Sequence, residues 1–368
     1  MFSQRVKAID ISGIRKMFEG AGPDAINLGL GQPDFDTPVH IKNAAIDAIN
    51  KGMTGYTMNL GFLELRQALC EKFRRENDLA VTPDEVIVTS GASEALYLAL
   101  QAMVDAGDEV MMPDPGFVSY SALTKLAGGK PVGVPLGKDL TLTPEAVNEC
   151  ITPKTRILII NSPSNPTGTV QTKKEIKALA EIATDNDITI ISDEVYEHFI
   201  YEGEHVSPAQ YTDNVITVNA VSKTYAMTGW RIGYAAARKE YIEQMVKVHQ
   251  YMQACACSIS QKAAQAAIEG PQDCVREMRE SFRERRDILL EGFGSMGIEC
   301  VKPQGAFYAF PEVKDEDAPQ KLIKNGIIVV PGSAFGENGK GHIRISYSTS
   351  EGNLRKALGI MEKVLKVS

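Results

Sequence analysis

The chain has 368 residues, 43% of them hydrophobic and 23% charged, with a formal net charge of −8. At about 100–200 residues per domain this allows roughly two domains with a large buried core, and the acidic balance excludes the basic stripe of a nucleic-acid binder. No window approaches the roughly 20 apolar residues that cross a bilayer, and the opening MFSQRVKAIDISG has no apolar signal core, so neither a membrane nor a nucleic-acid partner is expected and a cytoplasmic location is.

The first forty residues read as an arm, with a short apolar segment at Ile26–Gly31 and a turn-rich continuation through Gln32–Pro38. Its G-x-G is not a dinucleotide fingerprint, because Asp34 stands where the third glycine belongs. Helices are expected at His40–Lys51 and Phe62–Asn77, joined by a loop that carries Tyr56. From Asp84 the pattern is strand, loop, helix, repeated. The strands are Glu85–Thr89, Glu109–Met112, Arg156–Asn161, Ile188–Ser192, Val215–Val221 and Arg231–Ala237. The helices are Glu94–Ala106, Thr143–Glu149 and Lys173–Asn186. Such alternation predicts an α/β fold with a mainly parallel, doubly wound sheet. The Val221–Arg231 link is too short for a crossover helix, so one of its two strands should run antiparallel.

Glu240–Glu269 reads as a long, interrupted helical stretch, and Pro271 marks a boundary. Beyond it come a charged helix at Val275–Met296 and strands at Ile298–Lys302 and Ala306–Phe310. A helix near Ala318–Asn325, strands at Ile327–Val330 and His342–Tyr347, and a helix at Glu351–Val367 close the chain. The expected organisation is an arm (1–40) packing with the small domain, a large domain (41–270) and a small α+β domain (271–368). The six cysteines form no C-x-x-C and the five histidines no H-x-x-x-H, so reduced thiols and no metal site are expected.

The residues that follow each strand carry the chemistry, because ligands of open α/β sheets bind at the carboxyl ends of the strands. Ser90-Gly91-Ala92-Ser93 opens a helix; it is an ordinary N-cap or an anion nest. Phe117, on the loop after Glu109–Met112, is core packing or a cover for a flat ring. Asn165 is a turn residue before proline or an amide donor. Asp193 and Tyr196 end an apolar strand, where a buried carboxylate needs a partner. Lys223 is a surface charge or a pocket amine made nucleophilic by burial. Each alone favours the ordinary explanation. Together they supply what a phosphorylated aromatic aldehyde requires: a phosphate nest, a ring cover, an acid for the ring nitrogen and a lysine for the Schiff base.

The chain resembles the fold-type I, class I aminotransferases that use pyridoxal 5'-phosphate. The resemblance runs through SKTYAMTGWRIGY around Lys223, NSPSNPTG around Asn165, DEVY at Asp193–Tyr196, GQPDFDTP at Gly31–Pro38, GAFY, PGSAFG and HIRISYSTS around Arg344. It implies that Lys223 binds the cofactor aldehyde and shuttles the substrate proton, and that Asp193 pairs with the ring nitrogen. Tyr196 and Asn165 would hold the ring hydroxyl oxygen, and Phe117 would stack on the ring. Arg231, Ser222 and the Gly91-Ala92-Ser93 backbone would bind the phosphate. Tyr56 would reach the phosphate across a homodimer interface. Arg344 would clamp the substrate α-carboxylate with Gly31, a task suited to a guanidinium fork; strand period puts it on the face opposite Ile343 and Ile345, and the ordinary alternative is an exposed strand arginine.

Two positions depart from the family pattern. Ala220 replaces a phosphate-binding serine, and Ser93 replaces a lysine with which one subgroup reads an acidic side chain. The expected reaction is ping-pong transamination between an amino acid, aspartate first and aromatic amino acids or alanine next, and a 2-oxo acid such as 2-oxoglutarate. A β-lyase or other α-carbon chemistry on the same scaffold is the alternative. A cofactor-sensing regulator is a weaker one, since such proteins carry an added basic domain.

Overall fold

A computed structural model describes residues 2–10, 22, 24–313 and 315–365. Its centre is a seven-stranded sheet built from β2 (Val86–Thr89), β3 (Glu109–Asp114), β4 (Lys130–Pro135), β5 (Thr155–Asn161), β6 (Thr189–Asp193), β7 (Val215–Ala220) and β8 (Gly233–Ala236). The order is β2-β8-β7-β6-β5-β3-β4. All neighbours are parallel except β8, which runs antiparallel to both β7 and β2, as the short link before it required.

The strands lack a one-sided hydrophobic pattern because both faces are covered. On β5, Ile157 and Ile159 join the core beneath the helices Ala92–Met103 and Lys239–Met252. Leu158 and Ile160 face the opposite way, into the core shared with the helix Lys173–Asp185. β4 and the helix Ser119–Ala127 before it were not anticipated. The strand reads Lys-Pro-Val-Gly-Val-Pro and lies at the sheet edge, where two prolines lose no ladder bond but hide the strand signal.

The remaining strands form two small sheets. β1 (Ile26–Asn27) pairs in parallel with β10 (Ile327–Ile328). β9 (Tyr308–Ala309), β11 (Val330–Pro331) and β12 (Ile343–Ser346) form an antiparallel trio with β12 central. Leu28 lies in one core with Phe282, Phe293 and Phe307, so the arm packs on the C-terminal elements.

Three expectations are corrected. Ile298–Lys302 is not a strand; Glu312 N–H donating to the Glu299 carbonyl at 2.9 Å is one isolated contact, and Pro303 follows. The expected strand Ile327–Val330 is split between two sheets. Arg231 is not in a strand but in a left-handed turn, φ 53°, and β8 starts two residues later. The interrupted stretch resolves into helices Lys239–Met252 and Ser258–Glu269. The last helix spans Glu351–Val364; its expected end at Val367, like residues 11–21 of the arm, lies outside the described residues.

Candidate active site

The carboxyl ends of β2, β5, β6 and β7 border a cavity of about 290 Å³, the lower end of the volume of small-molecule sites. Ala92, Ser93, Phe117, Asn165, Asp193, Tyr196, Ser222, Lys223, Arg231, Gly31 and Arg344 all line it. Gly91 lies just behind, where a Cβ would overlap the Arg231 guanidinium. Tyr56 is not brought in. It is 91% exposed on the loop before the helix Leu63–Glu76.

β7 ends at Ala220, and one helical turn, Val221–Thr224, carries Lys223 off the strand. Its Nζ donates to the Gly31 carbonyl at 2.6 Å and lies 5.9 Å from the Tyr196 ring centroid. Burial, followed by the Arg344 and Arg231 charges, pushes its pKa down to about 8. The neutral form, the state in which an amine attacks a carbonyl, is therefore reached far more readily near neutral pH than by a free lysine.

Asp193 ends β6 and is 4% exposed. Burial raises its pKa to about 6, against the opposing effect of a hydrogen bond from Tyr120 Oη at 2.7 Å. Asn161 Nδ2 holds the Asp193 carbonyl at 3.0 Å, which fixes the end of the strand. The Tyr196 and Tyr308 hydroxyls are 2.8 Å apart, and a Cβ on Gly31 would overlap the Tyr308 hydroxyl. Glycine at 31 thus lets the arm cross close above the pocket.

Arg344, on β12, is 1% exposed, which excludes the exposed strand arginine, one of the two alternatives the sequence left open. Its polar partners among the described residues are neutral: Asn165 Oδ1 at 2.9 Å and the Gly29 carbonyl. Its Nε has no partner. The guanidinium carbon lies 4.7 Å from the Tyr308 ring centroid and 4.8 Å from that of Phe335. A buried cation with no anion beside it is costly, and at a cavity wall it is a receptor for one.

At the other end, Arg231 donates to the Thr228 carbonyl at 3.0 Å and the Ser90 carbonyl at 3.3 Å, beside the start of the helix Ala92–Met103.

Tyr120 and Tyr308 were not singled out from sequence. Phe117 and Tyr120 contact edge to face, ring centroids 5.6 Å apart. The F-x-x-Y spacing of one helical turn was the available signal. It was hidden because the helix starts without a side-chain cap. Behind Asp193, two of the scattered histidines, His198 and His205, gather with Glu76, Glu194 and Glu197. Lys72, donating to Glu197, already places a cation there.

A family model for aminotransferase class I and II matches residues 23–360. The chain is 47% identical to a probable aspartate aminotransferase of Methanocaldococcus jannaschii over 376 residues, covering 100% of both. It is 46% identical to an aspartate/prephenate aminotransferase of Thermus thermophilus across 94% of this chain and 92% of that one. It is 43% identical to aromatic-amino-acid aminotransferase 2 of Thermococcus litoralis across 99% and 98%. The solved T. thermophilus aspartate aminotransferase with maleate matches the fold at TM-score 0.95 and 43% identity, over 99% of this chain and 100% of that one.

Proposed function

The chain belongs to the aminotransferase class I and II family, and from that premise we propose how its pocket works and what it takes. The amino donor is aspartate, with aromatic amino acids next, and the acceptor is a 2-oxo acid such as 2-oxoglutarate. The names carried by its relatives support this order. The cofactor is pyridoxal 5'-phosphate. When bound, it supplies an aldehyde that captures the amino group and a ring that accepts the electron pair left at the substrate α-carbon.

The donor set fits that group. Lys223 holds a reactive amine at the pocket floor. Asp193, a buried carboxylate paired with a hydroxyl rather than a cation, suits a protonated ring nitrogen. Tyr196 and Asn165 offer a hydroxyl and an amide to the ring oxygen, and Phe117 offers a face to the ring. Arg231, Ser222 and the first N–H groups of the helix Ala92–Met103 suit the phosphate. With Ala220 in place of a serine, Ser222 and Arg231 carry more of that anchoring.

The observation that carries the reading is Arg344, a buried guanidinium with neutral partners and a free Nε. An α-carboxylate gives it the missing anion, displacing the Gly29 carbonyl and turning the substrate α-carbon toward Lys223 Nζ. Lys223 then moves the proton to and from that carbon. For each half-reaction its Nζ must leave the Gly31 carbonyl.

A homodimer in which Tyr56 of one subunit reaches the partner's phosphate site is part of the proposal, supported by the exposure of Tyr56. So is a cytoplasmic location, supported by six free cysteine thiols. Lys223→Ala tests the core of the reading. It should abolish transamination, a loss of at least about a thousandfold given the scale of activated-amine and proton-transfer catalysis. The borohydride-reducible lysine–cofactor adduct should vanish too, and a variant that keeps both sinks the assignment. A panel of amino donors with 2-oxoglutarate, read by 2-oxo acid formation, ranks the substrates.

A further inference from the structure

Glu94 lies in the first turn of the helix whose N-terminus faces the Arg231 end of the pocket. A carboxylate there repels a bound phosphate, so phosphate binding alone gives no reason for it. Both of its oxygens are engaged. Oε2 accepts the Ser90 N–H. Oε1 pairs with His249 Nδ1 at 2.9 Å. Glu94 and His249 are both buried, His249 completely.

The residue they hold is one of two whose carbonyls accept from Arg231, the other being Thr228. Ser90 is fixed on three sides: its N–H by Glu94, its Oγ by Gln253 Nε2 at 3.0 Å, and its carbonyl by Arg231 Nη2. Gly91 follows with φ 87° and ψ 163°, open to glycine alone, and the guanidinium lies against it. The Ser90 N–H and carbonyl sit on successive peptide planes, so with the N–H released the Ser90 backbone can shift and carry its carbonyl away from Arg231. His249 and Gln253 both come from the end of the helix Lys239–Met252 and its exit.

We propose that Glu94 and His249 form a buried positioning pair that sets the Ser90–Gly91 turn, and through it the Arg231 guanidinium that receives the cofactor phosphate. Neither residue touches the cofactor. The proposal rests on the reading of this pocket as a site for a phosphorylated aldehyde.

The test titrates the full-length, cofactor-free chain with pyridoxal 5'-phosphate and with pyridoxal, which lacks the phosphate, following absorbance of the bound aldehyde. Glu94→Ala should weaken the phosphorylated ligand about tenfold, the scale of a hydrogen bond to a charged group, and leave pyridoxal unchanged. Glu94→Gln should restore most of the difference, because its Oε1 accepts from Ser90 and its amide faces His249. Gln253→Ala, an exposed change that spares the core, should shift the same ratio by a few-fold, and His249→Gln, which withdraws the Nδ1 contact to Glu94 at similar volume, decides the matter if Glu94→Ala does not fold. Equal weakening of both ligands, or no change in the ratio, overturns the positioning role. A parent chain that does not prefer the phosphorylated ligand overturns instead the phosphate reading on which it stands.

Discussion

Asp193 is a buried carboxylate with a phenol beside it rather than a cation, and this has a cost in the cofactor-free protein. Its folded pKa is raised to about 6 from 3.8. The folded chain therefore holds a proton that the unfolded chain releases, so the stability from this group is present below about pH 4 and lost as pH rises to 6. Asp193→Asn removes the titration at constant shape. The cofactor-free variant should be more stable than the parent above pH 6 by about 3 kcal/mol, from roughly 1.4 kcal/mol per pKa unit and the rise from 3.8 to about 6, and equal to it below pH 4. Denaturant unfolding across pH measures this; an unchanged difference from pH 4 to 8 refutes the buried-charge account. Under the proposed pairing of Asp193 with the ring nitrogen, the same variant should also lose transamination.

At the scale of elements, the turn between β2 and the helix Ala92–Met103 carries a tight constraint beside the pocket. Gly91→Ala puts a side chain at φ 87°, ψ 163°, where its Cβ meets the Arg231 guanidinium. The expected outcome is a loss of about 1–3 kcal/mol of stability together with faster release of the phosphorylated cofactor. Thermal unfolding and dialysis of the holoenzyme report the two effects; normal cofactor retention would show that Arg231 does not depend on this turn. Most elements at this edge were legible because each is a short apolar run closed by turn residues. β4 was not, since its prolines are tolerated only because it is an edge. Arg231–Ala237 reads as one apolar run, but Arg231 itself takes a left-handed turn with its guanidinium on the Thr228 and Ser90 carbonyls and against Gly91.

At the scale of the molecule, Tyr56, Met58, Tyr251 and Met252 are exposed hydrophobics, Tyr56 and Tyr251 at 91% and 90%. Thr57 N–H and Asn59 Nδ2 bind Cys255 Sγ and the Ala254 carbonyl, so the Tyr56 loop is tied to the end of the helix that bears Tyr251. Such a patch suits a second copy of the chain. Under the shared-site reading, Tyr56→Phe removes one phenol from the partner's phosphate site and should weaken cofactor retention several-fold, the scale of one hydrogen bond. Equilibrium dialysis with light scattering tests both halves, and a stable monomer with full activity refutes the reading.

By itself the sequence determined the alternation of elements, the antiparallel turn of β8 and the row of chemical groups at the strand ends. Those follow from local spacing and from connections too short to permit anything else. Whether Arg344 is a surface charge or a buried guanidinium was open until β12 was seated between β9 and β11 with the Tyr308 and Phe335 rings against the guanidinium. The Tyr120 bond to Asp193, the Gly31 carbonyl on Lys223 and the Glu94–His249 pair join residues 73, 192 and 155 positions apart. No local pattern encodes such contacts, because each depends on how separate layers pack.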